Sequence, residues 1–150
     1  VTPNDRQYWM KKPTAREFDD CCNEFWMVST YVVKGLARNE ILFAIDHLNE
    51  IVRPNLLRMM AWHIASQKGY SFSMGKNYKF MKRYLSNKEW EELMSTYSVN
   101  GYQEMWKSLF TCYALFRKYS KAVSESLAYK YPDYDEGITK YTEGIYCSVK

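Results

Sequence analysis

Histidine, glycine and proline are scarce: two, six and four occur in 150 residues. So few breakers leave few places for the chain to turn, and long regular elements are expected. No Gly-x-Gly-x-x-Gly, P-loop, His-Glu-x-x-His or Gly-x-Ser-x-Gly string occurs. That removes the dinucleotide, P-loop, zincin and serine-hydrolase signatures. The four cysteines, at 21, 22, 112 and 147, include no Cys-x-x-Cys pair, so zinc spacing is missing and no metal site is expected. Adjacent Cys21 and Cys22 do not readily bridge each other, and the thiols read as reduced, in a cytoplasmic protein. No apolar run approaches the roughly 20 residues a bilayer needs, and no signal-peptide pattern occurs, so no membrane partner is expected.

Aromatic residues, in contrast, are plentiful at 17%, which predicts large rings packed between regular elements. Hydrophobic residues at 47% and charged residues at 25% are globular proportions and exclude disorder. A net charge of +4 is compatible with a phosphate-bearing partner without specifying one.

Residues 1–13 are polar, carry Pro3 and Pro13, and read as a linker ahead of one domain over residues 14–150. Thr14-Ala15-Arg16-Glu17 fits a capping box, predicting a first helix from about Thr14 to about Leu36. Asn39 is expected to cap a second helix, whose apolar face steps through Ile41, Ile45, Leu48, Val52, Leu56, Met59 and His63. Pro54 inside that pattern predicts a kink or split near Arg53, and Gly69 is the expected C-cap. Residues 70–77 read as a loop, followed by a short helix around Tyr78–Tyr84. Ser86 with Glu89 marks another start, running to about Tyr97. Asn100 is expected to open the clearest helix, striped by Tyr102, Met105, Trp106, Leu109, Tyr113, Phe116, Val123 and Leu127. After Pro132 a weaker helix is expected from Asp133 to about Cys147. With no competing strand alternation, the expected fold class is all-α, a bundle of about five or six helices.

Three groups carry candidate chemistry. On the first helix, Asp20, Glu24, Met27, Tyr31, Lys34 and Arg38 fall within about 40° of one line. This stripe is either a solvated face complementing the helix dipole or one wall of a cleft, its carboxylates meeting a cation and its lysine a phosphate. Gly75-Lys76-Asn77-Tyr78-Lys79, with Lys82 and Arg83 behind, either docks an anion or is a solvated basic turn. Arg58 and His63 have the Arg-x4-His spacing of HEPN-type ribonucleases, although a straight helix places them about 140° apart. The mixed run from Tyr78 to Tyr84 could also stack on a nucleic acid strand, but aromatics at helical spacing are expected to be core, so no nucleic acid partner is expected.

Longer strings carry a resemblance. Phe18-Asp-Asp-Cys-Cys-Asn-Glu-Phe-Trp26 runs on through Val28-Ser-Thr-Tyr-Val-Val-Lys-Gly-Leu36, and Glu40-Ile-Leu-Phe-Ala-Ile-Asp-His-Leu-Asn-Glu-Ile-Val-Arg-Pro54 follows. With Gly75-Lys-Asn-Tyr-Lys-Phe80, Met105-Trp-Lys-Ser-Leu-Phe110, Tyr131-Pro132 and Ile138-Thr-Lys-Tyr141, these resemble the C-terminal domain of bacterial aminoglycoside 6-adenylyltransferases over about residues 8–146. Those streptomycin-modifying nucleotidyltransferases transfer AMP from Mg-ATP to a drug hydroxyl, conferring antibiotic resistance. The resemblance implies a helical domain beside an N-terminal catalytic domain, whose Gly-Ser turn and Asp-x-Asp hold Mg2+. Here no Gly-Ser dipeptide occurs, and the sole Asp-x-Asp is Asp133-Tyr134-Asp135.

The chain also begins Val1-Thr2-Pro3 without an initiator Met. It is therefore expected to be a piece of a longer bacterial protein, without the catalytic domain and inactive alone. Its exposed docking face would be open to self-association. Combining the resemblance with the helix arithmetic, Asp20, Glu24 and Tyr31 are the expected aminoglycoside contacts, with Glu24 a candidate base. Lys34, Lys76 and Lys79 are the expected contacts to ATP phosphates. The alternatives are a HEPN-type ribonuclease domain and a basic helical interaction module.

Overall fold

The computed structural model describes residues 10–70 and 73–150. The expected linker, residues 1–13, therefore lies mostly outside the described residues.

Helix α1 (Ala15–Ala37) starts at the expected capping box. Thr14 Oγ1 accepts the Glu17 N–H at 3.0 Å, and Glu17 Oε1 accepts the Thr14 N–H at 2.9 Å. Its inner face buries Phe18, Cys21, Cys22, Phe25, Trp26 and Val33. Asn39 does not cap the next helix, as the sequence suggested. It adopts a left-handed φ of 59° and closes α1. The Glu40 N–H donates to the Gly35 carbonyl at 2.8 Å and the Asn39 N–H to the Leu36 carbonyl at 3.4 Å, a Schellman closure that asparagine tolerates better than most residues.

Helix α2 (Ile41–His47) passes through a π turn (Leu48–Val52) directly into α3 (Arg53–Lys68). Pro54 was expected to kink or split this rod near Arg53. The α-helical pattern does divide there: α2 ends in the π turn and α3 begins at Arg53 with Pro54 in its first turn, the Arg53 N–H donating to the Leu48 carbonyl five residues back. The wide turn accommodates a ring that would otherwise crowd a carbonyl and offers no N–H. Gly69 caps α3 at a left-handed φ of 78°, as expected.

The predicted short helix over Tyr78–Tyr84 is replaced by two 3-10 turns, Lys76–Tyr78 and Met81–Tyr84. Asn77 and Tyr78 have φ of 56° and 59°, which no α-helix can continue through. Helix α4 (Asn87–Ser95) begins at the predicted Ser86/Glu89 capping box. Helix α5 (Tyr102–Leu127) is opened by Gly101 and not Asn100. Helix α6 (Asp135–Val149) closes the bundle.

The six α-helices, two joined end to end, form the expected all-α bundle, with no β-strand among the described residues. The core lies between α1, α3 and α5. Phe25 stacks on Phe116 with ring centroids 3.9 Å apart, and buried Tyr113 packs on Trp26. The Tyr113 hydroxyl donates to Ser29 Oγ (3.1 Å) and lies 2.8 Å from Thr142 Oγ1, joining α5 to α1 and α6. Gly35 sets the α1–α2 crossing: a Cβ there would stand 3.0 Å from the Phe43 ring and 3.1 Å from Ala44 Cβ.

Candidate functional site

Because the inner face of α1 is wholly committed to core, the stripe predicted on its other face is open. Asp20, Glu24, Met27 and Tyr31 are exposed, with Lys34 half-buried at the basic end. Asp20 lies 3.9 Å from Arg16 and is otherwise solvated. Glu24 is held differently. Its Oε1 accepts from Asn55 Nδ2 at 3.1 Å, and the same nitrogen donates to the Ile51 carbonyl at 2.9 Å. Asn55 is buried on α3, and its own carbonyl accepts the Cys21 thiol at 3.5 Å.

Further along, Tyr31 joins a slab made with α2. Its ring lies 5.7 Å from that of His47, which lies 4.2 Å from Phe43. Lys34 Nζ stands 5.3 Å from the Tyr31 centroid. Met27, Tyr31, Leu42 and Phe43 are 49%, 46%, 79% and 42% exposed on this side of α1 and α2.

Lys76 and Lys79 are exposed on the loop after α3. Several of the loop's N–H groups are already engaged. The Gly75 N–H donates to Ser73 Oγ, and those of Tyr78, Lys79 and Phe80 donate to loop carbonyls. Burial pushes the Tyr78 hydroxyl pKa up, with Arg58 and Cys21 close enough to act on it. Lys34 lies more than three turns beyond Cys21, about 20 Å of helix rise. The structure thus brings Glu24 to Asn55 and Tyr31 to Lys34.

Arg58 and His63 share no site. The Arg58 guanidinium lies 4.0 Å from Glu17 and covers Trp62 at 4.8 Å. His63 instead packs on Tyr119 of α5 at 5.2 Å, its Nδ1 buried without a partner, and burial lowers its pKa. The ribonuclease alternative loses its pair of groups. The basic, aromatic run is engaged with itself and with α4: Arg83 covers Phe80 at 4.2 Å and Lys82 covers Trp90 at 5.3 Å.

Three features escaped the sequence reading: the Asn55 contact, the α2 contribution to the slab, and a cavity of about 760 Å³ between α5 and α6. Arg117 and Asp135 form a bidentate pair at 2.6 and 2.7 Å on its wall. Asp135 is thereby committed to a guanidinium, so Asp133-Tyr134-Asp135 is not a metal motif. No cluster of three or more His, Cys, Asp or Glu suited to a metal occurs among the described residues, which do not fit a Mg2+ site. None of the helices is long and apolar enough to cross a membrane.

The comparisons with known proteins agree with one another. The profile of the family described as streptomycin adenylyltransferase matches residues 1–145. Aminoglycoside 6-adenylyltransferase of Bacillus subtilis (strain 168) is 98% identical over the whole chain, which covers 53% of that protein. The protein of the same name from Campylobacter jejuni is 58% identical over 93% of the chain and 48% of its own length. The one from Staphylococcus aureus is 51% identical over 97% of the chain and 52% of its own length. A crystal structure of an aminoglycoside 6-adenyltransferase from Bacillus subtilis superposes with a TM-score of 0.86 at 96% identity, covering 98% of this chain and 56% of that one. The chain spans about half the length of the relatives it matches.

Proposed function

Since the chain belongs to the streptomycin adenylyltransferase family, we propose that it is the C-terminal helical half of an aminoglycoside 6-adenylyltransferase and forms one wall of its substrate cleft. In that reaction the drug hydroxyl attacks the α-phosphorus of ATP, a P–O bond to the departing pyrophosphate breaks, and the hydroxyl proton passes to a base. The observation that carries the assignment is the α1 stripe. It has an open carboxylate, Glu24, braced from the core by a neutral amide at one end and Lys34 beside an exposed aromatic slab at the other.

Asp20 and Glu24 offer carboxylates to the cationic groups of an aminoglycoside, with Tyr31 walling the site and Glu24 placed to take the proton. Lys34 reaches for the triphosphate. Lys76 and Lys79, exposed on the loop after α3, add charge for the phosphates. Mg2+, when bound in the intact enzyme, would supply charge neutralisation at the phosphates. Its ligands belong to the half that this chain does not span, so the chain alone transfers no AMP. That catalytic half covers the Met27, Leu42 and Phe43 surface beside the site. Left bare, this surface favours self-association. Reduced thiols fit a bacterial cytoplasm.

The test is Glu24→Gln in the full-length enzyme. Turnover of streptomycin should fall by about 10²–10⁴-fold, the range for loss of a general base. Turnover close to that of the parent enzyme would return the stripe to an ordinary solvated face.

A further inference from the structure

Glu24 sits on an open helix face, where a long side chain samples several rotamers. One group reaches it from the core, the Asn55 amide. Resting on the cleft reading above, we propose that Asn55 is the positioning residue for Glu24, holding one carboxylate oxygen so that the other is aimed at the aminoglycoside.

Four observations carry this. Asn55 is 8% exposed, so its amide is held by packing before any ligand arrives. Both N–H groups of its Nδ2 are committed, one to Glu24 Oε1 (3.1 Å) and one to the Ile51 carbonyl (2.9 Å). Both partners are acceptors, so the amide orientation is fixed by chemistry. The position is set from below: Asn55 directly follows Pro54, Ile51 lies in the π turn, and Cys21 on α1 donates its thiol to the Asn55 carbonyl at 3.5 Å. Cys21 and Glu24, one turn apart on α1, are thus both tied to one residue of α3.

A neutral amide also differs in kind from the partner of the neighbouring carboxylate. Glu17 faces Arg58 at 4.0 Å and closes a helix cap, a structural assignment on both counts. Among the described residues Glu24 receives one hydrogen bond, from an uncharged donor, and has no ion-pair partner. That is the arrangement a carboxylate needs if it is to meet a guanidinium or accept a proton.

The experiment uses the full-length enzyme with streptomycin and Mg-ATP, carrying Asn55→Asp, Asn55→Ala or Glu24→Gln, each checked for folding by its Tm. Asn55→Asp places a second carboxylate within hydrogen-bond reach of Glu24, and such a pair retains a proton to higher pH. The acidic limb of its kcat/KM profile for streptomycin should therefore move up by about one pH unit or more. Asn55→Ala should lower kcat/KM for streptomycin by roughly ten- to hundredfold, the range for loss of an orienting partner, while KM for ATP holds. If Glu24→Gln is inactive but both Asn55 variants keep the parent's acidic limb and streptomycin kcat/KM, Asn55 does not position Glu24 and the cleft reading stands. A fully active Glu24→Gln enzyme removes the cleft reading itself, and this proposal with it. Should Asn55→Asp fail to fold, the kinetics of Asn55→Ala decide alone.

Discussion

Asp135→Asn is the substitution whose cost can be worked furthest from the structure. The Asp135 carboxylate accepts four hydrogen bonds: from Arg117 Nε (2.6 Å) and Nη2 (2.7 Å), Thr139 Oγ1 (2.8 Å) and the Tyr131 hydroxyl (2.9 Å). Its side chain is 11% exposed, and that of Arg117 is 34% exposed. Burial alone would push its pKa up, but the bonds from Arg117, Thr139 and Tyr131 outweigh it and hold the carboxyl below 3.8. Asparagine keeps one acceptor oxygen and turns an NH2 toward donors. Hydrogen bonds to a charged group contribute about 1.5–3 kcal/mol each, whereas solvent-facing ion pairs contribute about 0–1. Discounting for the open side of Arg117, the net loss is about 3 kcal/mol. At this chain length that lowers Tm by about 6–12 °C. Urea unfolding followed by far-UV CD measures it, and amide exchange should show the loosening concentrated in α6. A loss under about 1 kcal/mol, or Arg117→Met and Asp135→Asn effects that simply add, would refute the clamp. The folded pKa is depressed, so this stability is complete above the unfolded value near 3.8 and drains as pH falls through the lower folded value.

His63 loses stability on acidification too, but from a different cause, burial in place of hydrogen bonds. Burial against Tyr119 lowers its pKa from 6.5, so the unfolded chain takes up the proton first and stability declines as pH drops below about 6.5. In His63→Phe that part of the decline should vanish when urea midpoints at pH 8 and pH 5.5 are compared; an identical decline in both proteins contradicts the buried, neutral assignment. The thiols form the third case. Burial pushes Cys21 and Cys112 up to about 12 and Cys22 higher still, whereas Cys147 is exposed. A thiol reagent at neutral pH should therefore titrate one cysteine quickly in the native chain and all four in urea. Two or more fast thiols before unfolding would show that the core is open.

Where a fold decision is made by residues within one turn of each other, it is readable from the chain. Thr14 with Glu17 and Ser86 with Glu89 both form the reciprocal caps their spacing predicts. Asn39 shows the limit. An asparagine between two helices can open the second or close the first, and only the Glu40 to Gly35 bond, six residues around, decides. Ala128 closes α5 with φ of 56° where a glycine would have announced the turn. The α1 stripe was legible because helical period is a property of sequence. Asn55 was not, because it meets Glu24 across 31 positions of chain. Pro54 marked the right turn of the rod, but whether a proline breaks, bends or widens a helix depends on what packs around it.

The contact at Gly35 reaches beyond the crossing it permits. With no side chain at that position, α1 and α2 meet nearly backbone to ring, Phe43 and Ala44 filling the space a methyl would take. The spacing beneath Tyr31, His47 and Phe43 therefore does not depend on a flexible side chain choosing a rotamer. A surface set in this way is already ordered before anything covers it, and a partner that closes over it loses less conformational freedom on docking. A larger residue at 35 would tilt α2 outward, and the first consequence would be a displaced Phe43 and a less ordered surface around Tyr31 and His47.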